Sequence, residues 1–182
     1  MDISKRFIKY LQFIPNRMPR NIIVEGVECG GKTTLIDEMR RQMKGWDIKF
    51  LGHKDGDQFR RYAWEYQVNK GTIFNRAHYS EIVYSKLWDR NEPFTSAQRQ
   101  CLDDLVAEDN IIILASPTKE IMLKRYKQRG YAQMAKLEEL GKIHDIFGEV
   151  MQNVPCLVYG SENMGAMYAM VEQVKRIVEG GK

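Results

Sequence analysis

The sequence predicts an α/β fold, a single three-layer domain with helices on both faces of a parallel sheet. Three observations carry this. Short apolar runs of strand length alternate with segments of helical periodicity, the pattern of β-α-β units. The most apolar of these runs, residues 21–25 and 110–114, read as strands buried on both faces. A glycine-rich turn joins the first of them to a helix.

Taken in order, residues 3–14 place Ile3, Phe7, Tyr10, Leu11 and Ile14 at helical spacing beside basic residues, an amphipathic helix closed by Pro15 and Pro19. The strand at 21–25 is followed by the turn and a helix from about Lys32 to Lys44. Residues 47–51 predict a second strand and 59–68 an aromatic-rich helix. Gly71 precedes a third strand, Thr72–Asn75. Helices follow over 79–88 and, after Pro93, over 95–108. The strand at 110–114 leads to a helix that starts near Pro117 and ends at Arg129, before Gly130. Residues 133–151 read as helical with an interruption at Gly141, 155–159 as the fifth strand, and 163–179 as a closing helix. No internal repeat or second domain is visible. The chain divides into a basic extension, residues 1–20, and a domain over 21–182.

Composition narrows the function classes. Of 182 residues, 43% are hydrophobic and 29% charged, ordinary for a soluble domain with its own core. No apolar run approaches the ~20 residues that span a bilayer, so no membrane role is expected. Lys5, Arg6 and Lys9 break up any secretory h-region. Cys29, Cys101 and Cys156 are odd in number and far apart, which argues against a disulfide framework or a zinc site and for a reducing, cytoplasmic location. His53, His78 and His144 lack ligand spacing and read as surface or structural residues. The net charge of +4 resides in residues 1–20, where Lys5, Arg6, Lys9, Arg17 and Arg20 face Asp2 alone; the rest of the chain carries 23 basic and 23 acidic side chains. A basic helix of this kind packs on its domain, touches nucleic acid or meets a membrane or partner.

The turn carries the chemistry. Gly26-Val27-Glu28-Cys29-Gly30-Gly31-Lys32-Thr33 matches G-x-x-x-x-G-K-[ST] at every fixed position, with a strand before it and a helix after it. Glycines let successive backbone N–H groups turn inward as an anion nest, and the helix N-terminus adds partial positive charge. Lys32 then reaches the β- and γ-phosphates, and the Thr33 hydroxyl ligates Mg²⁺. The expected ligands are ATP and Mg²⁺, held by Gly26–Thr33 with Thr34 beside them.

The residues around this loop resemble the thymidylate kinases. Ile23-Val24-Glu25-Gly26-Val27-Glu28 followed by Gly31-Lys32-Thr33-Thr34 is similar to their hydrophobic-Glu-Gly-x-Asp/Glu and Gly-Lys-Ser/Thr-Thr. A second block, Asn75-Arg76-Ala77-His78-Tyr79-Ser80-Glu81-Ile82-Val83-Tyr84, resembles D-R-[YH]-x-x-S-x-x-A-Y, with Arg76, Ser80 and Tyr84 at matching offsets and a combination similar to phage-encoded members. Arg125-Tyr126-Lys127-Gln128-Arg129-Gly130 is similar to the family's R-x-x-x-R-G before its lid. The resemblance covers most of residues 21–159. It implies strand order 2-3-1-4-5 and transfer of the ATP γ-phosphoryl group to a deoxynucleotide, dTMP or a related monophosphate. It places the loop acid, Glu28, toward the acceptor sugar. A homodimer is compatible with it.

On this reading the catalytic set is Lys32, Glu28, Arg76, Arg125 and Arg129. Arg76 clamps the acceptor phosphate with its planar fork, while Arg125 and Arg129, four apart on one helix face, close over the triphosphate. Phe59, Arg60, Arg61, Asn75, Ser80 and Tyr84 complete the acceptor site, with aromatics for the base and arginine for the phosphate. Three departures from the family's pattern matter. Asn75 replaces an aspartate and lacks its charge, which a phosphate acceptor tolerates because it is already ionised. Cys29 stands where some members have an arginine, and Gly130–Lys142 is short and lacks D-R-x-E. Two other readings follow: a phage kinase that phosphorylates 5-hydroxymethyluracil within DNA, and a nucleotide-binding module without catalysis.

Overall fold

The computed structural model describes residues 19–129 and 135–180. Five strands, β1 (Asn21–Gly26), β2 (Asp47–Phe50), β3 (Thr72–Asn75), β4 (Asn110–Ala115) and β5 (Leu157–Tyr159), form one parallel sheet in the order β2-β3-β1-β4-β5. Every pairing is parallel, and β1 lies centrally, with Val24 opposite both Asn75 and Ile113. The helices are α1 (Lys32–Gln42), α2 (Gln58–Val68), α3 (His78–Leu87), α4 (Ser96–Asp109), α5 (Lys119–Gln128), α6 (Leu140–Val150) and α7 (Met164–Val178), with a 3₁₀ turn at Leu137–Glu139.

The apolar runs of β1 and β4 are buried throughout because both faces are covered. Ile22, Val24, Ile111 and Ile113 pack with Leu35, Met39, Val171 and Val174 of α1 and α7. Ile23, Phe74, Ile112 and Leu114 point the other way, against Tyr62, Tyr66, Ile82 and Leu102 of α2, α3 and α4. Period-two alternation therefore feeds two apolar layers, as a doubly covered sheet requires.

The element boundaries show what local chemistry decides. Asp57, Thr118 and Asn163 cap α2, α5 and α7 by accepting backbone N–H groups, and Thr95 with Gln98 forms a capping box on α4. The fifth strand is shorter than the 155–159 expected, because Pro155 has no N–H for the ladder and pairing starts at Leu157. Of the helical stretch expected over 133–151, the described residues from 135 onward hold a 3₁₀ turn followed by α6, which runs through Gly141 without interruption. The amphipathic helix expected over 3–14 lies outside the described residues. Arg20, at the end of that extension, already belongs to the fold: its N–H donates to the Asp109 carbonyl at 2.5 Å, and its carbonyl accepts from Gly71 at 2.8 Å. Among the described residues no helix is long and apolar enough to cross a membrane.

Candidate active site

The glycine-rich loop sits where β1 ends and α1 begins, at the carboxyl edge of the sheet. Gly26 has φ +133°, and a Cβ there would lie 2.1 Å from the Ala115 carbonyl oxygen on β4. Only glycine fits so close a strand crossing. Gly31, at φ +85°, is the N-cap of α1 and offers no side-chain cap, so the helix N-terminus faces the loop's hollow. Lys32 is buried with its Nζ donating to the carbonyls of Gly26 at 2.7 Å and Val27 at 2.6 Å. Its burial, with the Arg76 guanidinium adding to it, lowers the ammonium's pKa to about 7.

Three cavities adjoin along this edge. A central chamber of about 140 Å³ is walled by Glu28–Thr33, Phe50, Asn75, Arg76 and Arg129. On one side it shares Cys29, Gly31 and Arg129 with a cavity of about 410 Å³ that adds Thr34, Arg125, Tyr159, Ser161 and Asn163. On the other side it shares Phe50 and Arg76 with one of about 670 Å³ along α3 and the 51–56 loop. A cavity of about 750 Å³, beside Asn110 and Pro155, lies at the opposite end of the sheet and shares no residue with the loop. Volume alone therefore does not mark the site.

The sequence-derived residues sort themselves by place. Gly26 and Val27 supply the carbonyls that hold Lys32; Thr33 lines the central chamber and Thr34 the smaller side cavity. Glu28 lines the chamber and accepts the Ala135 N–H at 3.2 Å, so it also anchors the chain beyond α5. Arg76 donates to Ser80 Oγ at 3.2 Å and to the Tyr84 hydroxyl at 3.3 Å, with its guanidinium over the Tyr84 ring. Arg125 donates to the Cys29 carbonyl at 3.2 Å, to Ser161 Oγ at 2.7 Å and to the Ser161 carbonyl, and so joins the loop after β5 to the glycine loop. Arg129 ends α5 between the chamber and the smaller side cavity. Burial raises the Cys29 thiol's pKa, against an opposing effect of Arg129.

Phe59, Arg60 and Arg61 are not among the residues that line the larger side cavity; their neighbour Gln58 is. Phe59 packs on the core and Arg60 is exposed. Arg61 donates to the Gly52 carbonyl at 2.8 Å and lies 3.7 Å from Glu81. The cause is the phase of α2, which gives its core-facing stripe to Tyr62 and Tyr66.

Two acids quoted within the sequence motifs were given no role of their own. Glu25, fully buried on β1, accepts from the backbone N–H groups of Ala77 (2.7 Å) and Ser80 (3.0 Å) and from Ser80 Oγ (2.6 Å). It thus caps α3, whose own N-cap, Ala77, has no side-chain donor or acceptor. An acid inside an otherwise apolar strand was the available signal. Glu81 accepts from the Tyr62 hydroxyl at 2.9 Å and pairs with His53 Nδ1 at 2.9 Å. His78 is buried between Tyr66 (3.0 Å) and Asp103 (2.9 Å), a structural role.

No protein-family model matches the chain, and no curated protein matches it in sequence. Solved structures do match. YorR from Bacillus subtilis, solved with phosphorylated GDP, superposes with a TM-score of 0.71 at 20% identity, over 87% of this chain and 95% of that one. Polyphosphate kinase 2 from Arthrobacter aurescens gives 0.69 at 14% identity, over 98% and 76%. Deoxyadenosine kinase from M. mycoides, with dCMP and dCDP bound, gives 0.57 at 14%, over 85% and 98%. At such identities the likeness is one of fold: a single α/β domain with five parallel strands, the architecture of these neighbours.

Proposed function

We propose that the chain is an ATP-dependent phosphotransferase of the P-loop kinase type that moves the γ-phosphoryl group to a deoxynucleotide acceptor, dTMP or a related monophosphate. The observation that carries this reading is a row of three adjoining cavities with shared walls. A phosphate-sized chamber at the glycine loop lies between a smaller cavity, suited to the donor nucleoside, and a larger one that begins at Arg76. The structural likeness to a deoxyadenosine kinase holding dCMP and dCDP supports a nucleotide in the second position. The motifs similar to thymidylate kinases favour the monophosphate form of it.

Catalysis in such a site is positioning and charge stabilisation. The loop's backbone and Lys32 hold the β- and γ-phosphates, with Lys32 exchanging two backbone carbonyls for phosphate oxygens. Thr33 would hold Mg²⁺, which would supply neutralising positive charge for the transferring group. Arg76, kept in place by Ser80 and Tyr84, clamps the acceptor phosphate. Arg125 and Arg129 supply positive charge from the opposite side. Glu28 orients the acceptor sugar, and Asn75 contributes a neutral acceptor oxygen where no base is required.

The test is incubation with radiolabelled ATP and separate pools of nucleosides, monophosphates, plain DNA and hydroxymethyl-base DNA. Label is expected in a monophosphate. Label in modified DNA alone would establish the DNA-kinase reading instead, and ATP binding without transfer would leave a binding module. Lys32→Ala should abolish transfer, by about 100-fold or more; full activity would displace the site from this loop.

A further inference from the structure

We propose that Glu81 reads the base of the acceptor, and that it selects bases bearing an amino group (cytosine, adenine or guanine) over thymine. The proposal rests on the acceptor cavity assigned above and, of the acceptors named there, sets dTMP aside in favour of a related monophosphate.

The larger side cavity has a direction. Its inner end is Arg76, which the proposed mechanism gives to the phosphate. From there one wall is a continuous stack: Arg76 lies 5.1 Å from the Tyr84 ring, Tyr84 lies 5.1 Å from Trp88 at an interplanar angle of 32°, and Arg90 lies 4.6 Å from Trp88. Such flat faces take a base by stacking but do not tell one base from another. Discrimination needs a polar group on the wall, and α3 places one there: Glu81 lines the cavity and is 8% exposed.

A carboxylate has about four lone-pair positions and no donor. The Tyr62 hydroxyl occupies one on Oε1, and His53 Nδ1 occupies one on Oε2; Arg61, at 3.7 Å, is beyond hydrogen-bond reach. These contacts fix the carboxylate's orientation and leave acceptor capacity unused. Thymine presents two carbonyl oxygens around a single N–H, and each carbonyl set against a carboxylate is repelled. Cytosine and adenine offer an exocyclic amino group, and guanine offers two adjacent N–H donors that match both carboxylate oxygens. A buried carboxylate that meets thymine's one N–H also faces the carbonyls on either side of it, and mismatched polar contacts of this kind are how sites reject close analogues.

Calorimetric titration of the full chain with dCMP, dAMP, dGMP and dTMP tests this, repeated with Glu81→Gln, a nearly isosteric change that introduces an amide donor. At least one amino-bearing monophosphate should bind the wild-type chain about 10-fold or more tightly than dTMP. In Glu81→Gln that preference should collapse, with dTMP gaining relative to the others. A wild-type chain that binds dTMP as tightly as the other three overturns the proposal, and this ranking does not depend on how the variant folds. An equal loss for all four ligands in the variant also overturns it, since that is the signature of a strut between α2 and α3. Binding is read without turnover, so base selectivity in the absence of transfer would sink the kinase reading alone. Failure of all four to bind would sink the acceptor cavity and this inference together.

Discussion

Lys32 is buried against its own loop, and its proton is held less firmly than that of an ordinary lysine. Its pKa, about 7, lies below the ordinary 10.5 because burial penalises the ammonium and Arg76 repels it. The folded chain therefore holds fewer protons at this residue than the unfolded chain between those two values, and stability from this source rises with pH through that window. A bound triphosphate reverses the shift. ATP binding should accordingly take up about one proton near pH 8.5 and almost none at pH 6. Calorimetry in two buffers of different ionisation heat measures this directly; equal uptake at both pH values would contradict it. Placement set by backbone geometry was legible in the sequence: Gly26, Gly31, Lys32 and Thr33 stand at the strand-to-helix turn that the motif requires. The grouping of Arg76 with Ser80 and Tyr84 was legible through their spacing. Roles that depend on which way a helix turns were not. Arg61 and Glu81 both lie beside the 51–57 loop, and only the packed phase of α2 and α3 shows that Arg61 fastens the loop while Glu81 lines the cavity.

At the scale of elements, the junction between β3 and α3 brings Arg76, Ser80 and Tyr84 to the larger side cavity. Helix α3 begins without a cap of its own, and Glu25 on β1 supplies one across the sheet edge. Glu25→Ala would leave the Ala77 and Ser80 N–H groups unpaired in a buried place and open a void. The expected cost is about 3 kcal/mol, seen as a lower midpoint in urea denaturation. The variant should also weaken acceptor binding, because Ser80 and Arg76 would lose their common anchor; an unchanged midpoint would refute the capping role. Most elements were readable to within a few residues because periodicity and caps agree locally. The clearest shortening, in β5, came from a single proline, and the continuity of α6 through Gly141 came from the apolar face of Ile143, Ile146, Phe147 and Val150 packed in the core.

For the whole molecule, charge placement decides between a small acceptor and a polymer. The net charge of +4 is confined to residues 1–20, and the remainder is balanced. The larger side cavity follows the same rule: Lys54, Arg76 and Arg90 are matched by Asp55, Glu81 and Glu92. A cleft so balanced gives no broad footprint for a phosphate backbone. Activity on a monophosphate should then fall by less than about 10-fold between 50 and 200 mM salt, against the ~10³-fold or greater loss expected of a protein that neutralises six or more phosphates. Steady-state kinetics across that range separates the two. The left-handed backbone of Arg76, at φ 75°, bears on the molecule's stability as a whole. An L-residue there costs about 1–2 kcal/mol relative to glycine, set against a total stability of ~5–15 kcal/mol for a typical domain. The side chain offsets that cost through its buried bonds to Ser80 and Tyr84 and its contact with the Tyr84 ring. Arg76→Gly would thus exchange a strained backbone for a void, and the sign of the change in melting temperature would show which of the two weighs more in this fold.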